Sequence, residues 1–181
     1  REFGTLGLVA SDMVVTDFNG DNTPDAIFAT EDLGLSHRLF LAPGAASPGA
    51  SLSFGSGTGS PARLACADFN VDGAPDVVVF SAGAIFVYLN NGSGVLEAQP
   101  PVPCAAPGDL LSLSATDLNW DGWPDLVIAT TETALLCPNN GEGNFGQQVT
   151  IAAPEAGIRQ VVVADLLDSG CPETLSGNSS R

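Results

Sequence analysis

The chain runs to 181 residues, 44% of them hydrophobic, and sets 21 acidic side chains against five arginines and no lysine, for a net charge of −16. That composition supports a real core and excludes global disorder, and it makes nucleic acid a poor partner, because phosphate binding needs clustered Lys and Arg. Apolar runs end after about seven or eight residues, short of the roughly 20 that a membrane-spanning helix needs.

Taken in order, residues 1–10, REFGTLGLVA, are similar to residues 143–153, GNFGQQVTIAA, so the chain is expected to open on the closing strand of a preceding repeat. DMVVT (12–16) reads as a strand, followed by a polar loop at 17–25 and two further strands, AIFAT (26–30) and HRLFLA (37–42). The pattern returns as ARLACA (62–67), a loop at 68–76, VVVF (77–80) and AIFVYLN (84–90), closed by the turn NNGSG. It returns again as LSLSAT (111–116), a loop at 117–125, LVIAT (126–130) and ALLCPN (134–139), closed by NNGEG. Asn-Gly between apolar runs is a strong hairpin signal. A weaker fourth strand, such as QQVTIAA (147–153), completes the unit. RQVVVA (159–164), a loop at 165–173 and TLS (174–176) begin a fourth copy.

The first Asp of each loop stands at 17, 68, 117 and 165, a period of about 50 residues. Four short antiparallel strands per period is the pattern of a β-propeller blade. The fold is therefore expected to be all-β, a single segment over 1–181 with repeats near 11–60, 61–108 and 109–157 and a partial one at 158–181. That makes about three full blades with partial blades at both ends. A closed propeller typically has four to eight blades. The chain is thus expected to be part of a longer one, the alternative being two partial blades that combine to close a small ring.

Ten of the 21 acids lie in the repeated loops when Asp165 of the fourth copy is counted, and the three intact loops read DFNGDNTPD, DFNVDGAPD and DLNWDGWPD. Side-chain oxygens at positions 1, 3, 5 and 9 converge if the backbone coils tightly, and position 7 can add its carbonyl. That is the oxygen-rich shell a hard cation such as calcium prefers. Gly at position 6 permits a sharp turn, and Asn22 takes that place in the first copy, where Asn tolerates left-handed backbone. Pro at position 8 stiffens the exit. An EF-hand would need a bidentate Glu at position 12, where this chain has Phe28, Val79 and Ile128. The bland alternative is a set of Asp/Asn-rich turns without metal. The fourth loop, Asp165 to Glu173, has Leu167 and Ser169 at positions 3 and 5 and is expected to be degenerate.

These loops, with NNGEGNFG later in the repeat, resemble the FG-GAP/VCBS repeats of integrin-α-type β-propellers. The resemblance implies calcium held between the first and second strands of each blade. Asp17, Asn19, Asp21 and Asp25 would bind one ion, Asp68, Asn70, Asp72 and Asp76 a second, and Asp117, Asn119, Asp121 and Asp125 a third. The carbonyls of Thr23, Ala74 and Trp123 would be extra ligands. It also implies binding rather than catalysis, with a protein partner at the cell surface or in a larger assembly. The alternatives are a lectin-like propeller that binds glycans and a scaffold subunit of a filament or complex. An extracellular, cell-surface or luminal location goes with that reading.

His37, the one histidine, is expected to have an exposed structural role at a strand start, and no G-x-S-x-G elbow accompanies it. Trp120 and Trp123 read as packing between blades or as an aromatic platform for a sugar or protein. Asn91 and Asn178 open glycosylation sequons. Cys66, Cys104, Cys137 and Cys171 form no CxxC pair, and four cysteines allow three disulfide pairings. Cys66, in an apolar strand, is the one expected to be simply buried.

Overall fold

The computed structural model describes residues 10–30, 37–40, 51–55, 58, 60–152, 160–164 and 173–177. All regular structure in them is β. The first sheet orders β1 (Ala10–Thr16), β2 (Asp25–Thr30), β3 (His37–Phe40) and β4 (Ser51–Phe54) as neighbours in sequence order. The second has β5 (Ala62–Ala67), β6 (Asp76–Ser81), β7 (Ala84–Asn90) and β8 (Leu96–Ala98), with β9 (Val102–Pro103) also pairing β7. The third runs β10 (Leu110–Thr116), β11 (Asp125–Thr130), β12 (Ala134–Cys137) and β13 (Val149–Ala152). A final hairpin joins β14 (Gln160–Ala164) to β15 (Glu173–Gly177).

Every one of these pairings is antiparallel, and the first two strands of each sheet share one register. Thr16 stands opposite Asp25, Ala67 opposite Asp76, Thr116 opposite Asp125 and Ala164 opposite Glu173. The same loop therefore bridges the same hairpin each time. The innermost strands β1, β5, β10 and β14 pack side by side, so the sheets stack as successive blades. Among the described residues the stack does not close into a ring.

The second strand of each of the three larger sheets is covered on both faces. This is why β6 and β11 are continuous apolar runs instead of alternating ones. Val77, Val78 and Val79 are fully buried, as are Leu126 and Ile128, and each such side chain contributes about 1.5–3 kcal/mol by leaving water. One core lies between the first and second sheets around Phe18, Ile27 and Val79, and another between the second and third around Phe69, Val87 and Ile128. The fourth strand of the second sheet is split, because Pro100 and Pro101 fall between β8 and β9 and cannot donate to the ladder.

Polar side chains lock the inner strands together. Arg63 on β5 donates to the carbonyl of Leu111 at 3.0 Å on one side and to that of Ser11 at 3.4 Å on the other. Asp12 on β1 accepts from the Leu64 N–H at 2.8 Å.

Candidate metal site

Each described loop is wound by its own carboxylates. Asp68 accepts from the N–H groups of Asp72 and Gly73, Asp72 from Ala74, and the Asn70 amide both accepts from Asp72 N–H and donates to the Asp72 carboxylate. The first loop repeats this with Asp17, Asn19 and Asp21, and the third with Asp117, Asn119 and Asp121, except that there Asp117 accepts from the N–H groups of Trp120 and Gly122. The coil needs left-handed backbone at two places. Position 6 has it in Asn22, Gly73 and Gly122, and position 4 in Gly20, Val71 and Trp120. The Asn-for-Gly exchange at position 22 thus keeps the turn, whereas nothing in the sequence marked position 4.

The ninth residue is the buried member of each donor set. Asp25, Asp76 and Asp125 are buried. One oxygen of each accepts from the loop's own backbone, at Phe18 N–H, at Phe69 and Asn70 N–H, and at Leu118 and Asn119 N–H respectively. The other oxygen of Asp76 takes the Asn90 N–H, and that of Asp125 takes the Asn139 N–H. Burial pushes the Asp76 carboxyl up to about 6, with the Asp72 charge adding to it, and raises Asp125 for the same reasons, there with Asp121 as the charged neighbour. Positions 1 and 5 are thus gathered at the loop surface, and position 9 is held beneath them.

Among the described residues, no group of three or more His, Cys, Asp or Glu side chains is drawn together tightly enough to hold a metal ion. The donor set nonetheless fits a hard cation, since it offers three carboxylates and an amide oxygen per loop and neither nitrogen nor sulfur ligands. Position 12 lies inside the second strand, with Val79 and Ile128 fully buried and Phe28 half-buried. The loop at 165–172 lies outside the described residues, as does Asn178.

Two residues with a part in the site were not singled out from the sequence. Asn90 donates from its side chain to the carbonyl of Phe18, in the loop of the preceding blade, at 2.8 Å. Asn139 does the same to Phe69 at 2.8 Å. The available signal was the first Asn of NNG, which stands fourteen residues after the ninth-position Asp in both copies.

Trp123 lies across Gly141 in the second turn of its own blade, where a Cβ would come within 2.6 Å of the indole. It is 37% exposed and Trp120 is 55% exposed, so neither is enclosed between blades. Asn91 is exposed on its hairpin and accepts from Ser93. Two expectations need correction. His37 is buried, because its Nδ1 accepts the Thr30 N–H at 3.1 Å across the β2–β3 connection and its ring packs on Phe54; burial also lowers its pKa. Cys66 is only half-buried, its thiol donating to the Asp76 carbonyl, while Cys104 and Cys137 are the fully buried cysteines.

Stacked four-stranded antiparallel sheets, each with an acidic loop between its first two strands, define a β-propeller-type repeat protein. The chain belongs to the FG-GAP-like repeat family, whose model matches residues 17–79, 68–128 and 117–175. A search of curated protein sequences gave no significant match. Among solved structures the chain is similar to an Agrocybe aegerita lectin, described for its specific recognition of non-reducing terminal N-acetylglucosamine, with 25% identity and a TM-score of 0.59 over 78% of this chain. It is also similar in fold to a component of the Photorhabdus luminescens Tc holotoxin pore, with 22% identity and a TM-score of 0.51 over 94% of this chain. The chain spans 38% of the lectin's length and 8% of the toxin chain's. No helix is long and apolar enough to cross a membrane among the described residues.

Proposed function

We propose that the chain is a non-enzymatic, calcium-stabilised binding module that works outside the cell or in a luminal compartment and presents its loops to a protein partner. The observation that carries this reading is one all-oxygen donor set repeated in three successive blades. Asp17, Asn19, Asp21 and Asp25 would hold one ion, with the equivalent residues of the second and third loops holding two more and the carbonyls of Thr23, Ala74 and Trp123 adding ligands. Bound calcium supplies the positive charge that three carboxylates per loop otherwise lack. The chain's own part is to keep those oxygens in place, through the backbone N–H groups that already hold Asp68 and Asp72 and through the buried ninth Asp.

The test is thermal. Calcium added to metal-free protein raises the melting temperature by mass action. Asp121→Ala lowers the melting temperature in calcium and changes it little in excess chelator. A melting curve indifferent to calcium overturns the reading.

A second reading, glycan binding, is favoured by the likeness to a lectin and by the exposure of Trp120 beside Trp123. Aromatic faces are suited to stacking against the apolar side of a sugar ring. It is checked by binding to glycans that end in N-acetylglucosamine, with Trp120→Ala expected to abolish it.

A further inference from the structure

The second and third blades meet across a buried cluster that holds both Cys104 and Cys137, neither with any exposed surface. Cys104 follows β9 and is anchored by its N–H to the Gly83 carbonyl at 2.8 Å, on the second blade. Cys137 ends β12 of the third blade and stands opposite Leu126. Within that cluster the two thiols are near enough to perturb each other's ionisation, Cys104 being lowered and Cys137 raised. Cys66 belongs to the other core, with its thiol committed to the Asp76 carbonyl of its own blade at 2.9 Å. Two thiols sharing one buried cluster need only a modest approach to reach bonding distance, with Cys137 held by its strand and Cys104 by its backbone bond to Gly83.

We propose that Cys104 and Cys137 form a disulfide that staples the second blade to the third. The oxidant is a disulfide, either a small molecule such as oxidised glutathione or the active site of a thiol–disulfide oxidoreductase. The Cys104 thiolate attacks one sulfur of the oxidant and releases the other as a thiolate. The Cys137 thiolate then attacks the Cys104 sulfur of that mixed disulfide and releases the second thiolate. Two electrons pass to the oxidant, and the two protons given up by the cysteines end on the two thiols released. Because the folded core shields both sulfurs, the bond forms while the third blade is still closing onto the second, and is afterwards protected from reductants. The covalent ring encloses β10, β11 and β12 and the whole of the loop at 117–125. It restrains the unfolded chain where the third blade would otherwise separate, which is how disulfides stabilise most.

The experiment refolds the whole chain in a glutathione redox buffer, blocks free thiols by alkylation and maps the peptides by mass spectrometry. The expected result is a linked pair of peptides carrying Cys104 and Cys137, two hydrogens lighter than the separate thiols, with Cys66 alkylated. Reduction should lower the melting temperature by roughly 5–15 °C, and a Cys104→Ala, Cys137→Ala double variant should lose that response to reductant. Alkylation of both cysteines after refolding, or a link from either to Cys66 or Cys171, overturns the proposal. The mapping is done on the unsubstituted chain, so it decides the matter even where the double variant fails to fold.

Discussion

Asp76 keeps a carboxyl group beneath the second loop, where three backbone N–H groups, from Phe69, Asn70 and Asn90, point at its oxygens. Those bonds favour the charged form, yet burial outweighs them and raises its pKa from 3.8 to about 6. The folded chain thus holds a proton between about pH 4 and pH 6 that the unfolded chain has released, so stability in metal-free buffer must fall as pH rises through that window. The expected loss is at most about 3 kcal/mol, and Asp76→Asn should flatten it, separating this group from the repulsion of the whole acidic surface. On the proposed calcium reading, added calcium should reverse the sign, because it would take the place of the proton and bind better as the carboxylate ionises. Melting temperatures across that range, with and without calcium, check both statements. Val71 poses a simpler problem. A β-branched residue at φ 60° is strained, and its side chain is 58% exposed, so little packing compensates. The first loop places Gly20 at this position with φ 73°. Val71→Gly should therefore stabilise the chain by about 0.5–1 kcal/mol, and a lower melting temperature in the variant would show that Val71 makes contacts worth more than its strain.

The elements were legible where periodicity and turn chemistry agree. An acidic loop, an apolar run and an Asn-Gly turn in fixed order announce the hairpins of the second and third blades, and the register opposite Asp76 and Asp125 follows from loop length alone. Less legible was anything that depends on two repeats meeting. Asn90 and Asn139 look like turn residues in the sequence, and each does begin a turn, but each also donates to the preceding blade's loop. Such a partner lies some seventy residues away, beyond the reach of any local pattern. His37 misled for the same reason, since a polar residue at a strand start suggests solvent until Phe54 covers it. The position-4 strain was hidden because Val and Trp are not residues that announce left-handed backbone. The inter-blade role of Asn90 has a consequence of its own. Its side chain donates to the buried carbonyl of Phe18 and the half-buried one of Pro75, so Asn90→Ala should cost about 1–3 kcal/mol by removing their donor. Because Asn90 N–H also holds Asp76, Asn90→Ala should keep that backbone bond while losing the side chain's link to the first loop along with its local bonds to Pro75, Gly92 and Gly94. Hydrogen exchange that quickens in the first loop more than in the second would distinguish this from a general loss of stability.

Across the whole molecule, three blades are joined mainly by stacking, and a stack of repeats behaves as a nearest-neighbour system whose cooperativity depends on its interfaces. Most of each interface is apolar and non-directional. What fixes one blade against the next is a small number of polar side chains at the inner strands. Arg63 is placed to act on three blades at once, since it sits on the middle inner strand and reaches a carbonyl on each neighbour, Leu111 and Ser11. Its charge strengthens those bonds, and in a chain with a net charge of −16 a cation among the inner strands also relieves repulsion. Arg63→Met keeps most of the aliphatic stem and removes the guanidinium. The variant should lose about 1.5–3 kcal/mol. Its unfolding should also change in character, from a single sharp transition to a broader one with a smaller denaturant m-value, because the blades no longer report on one another as strongly. An equal loss of stability with an unchanged m-value would mean that the apolar cores around Phe18 and Phe69 alone couple the blades, and that Arg63 serves its own strand.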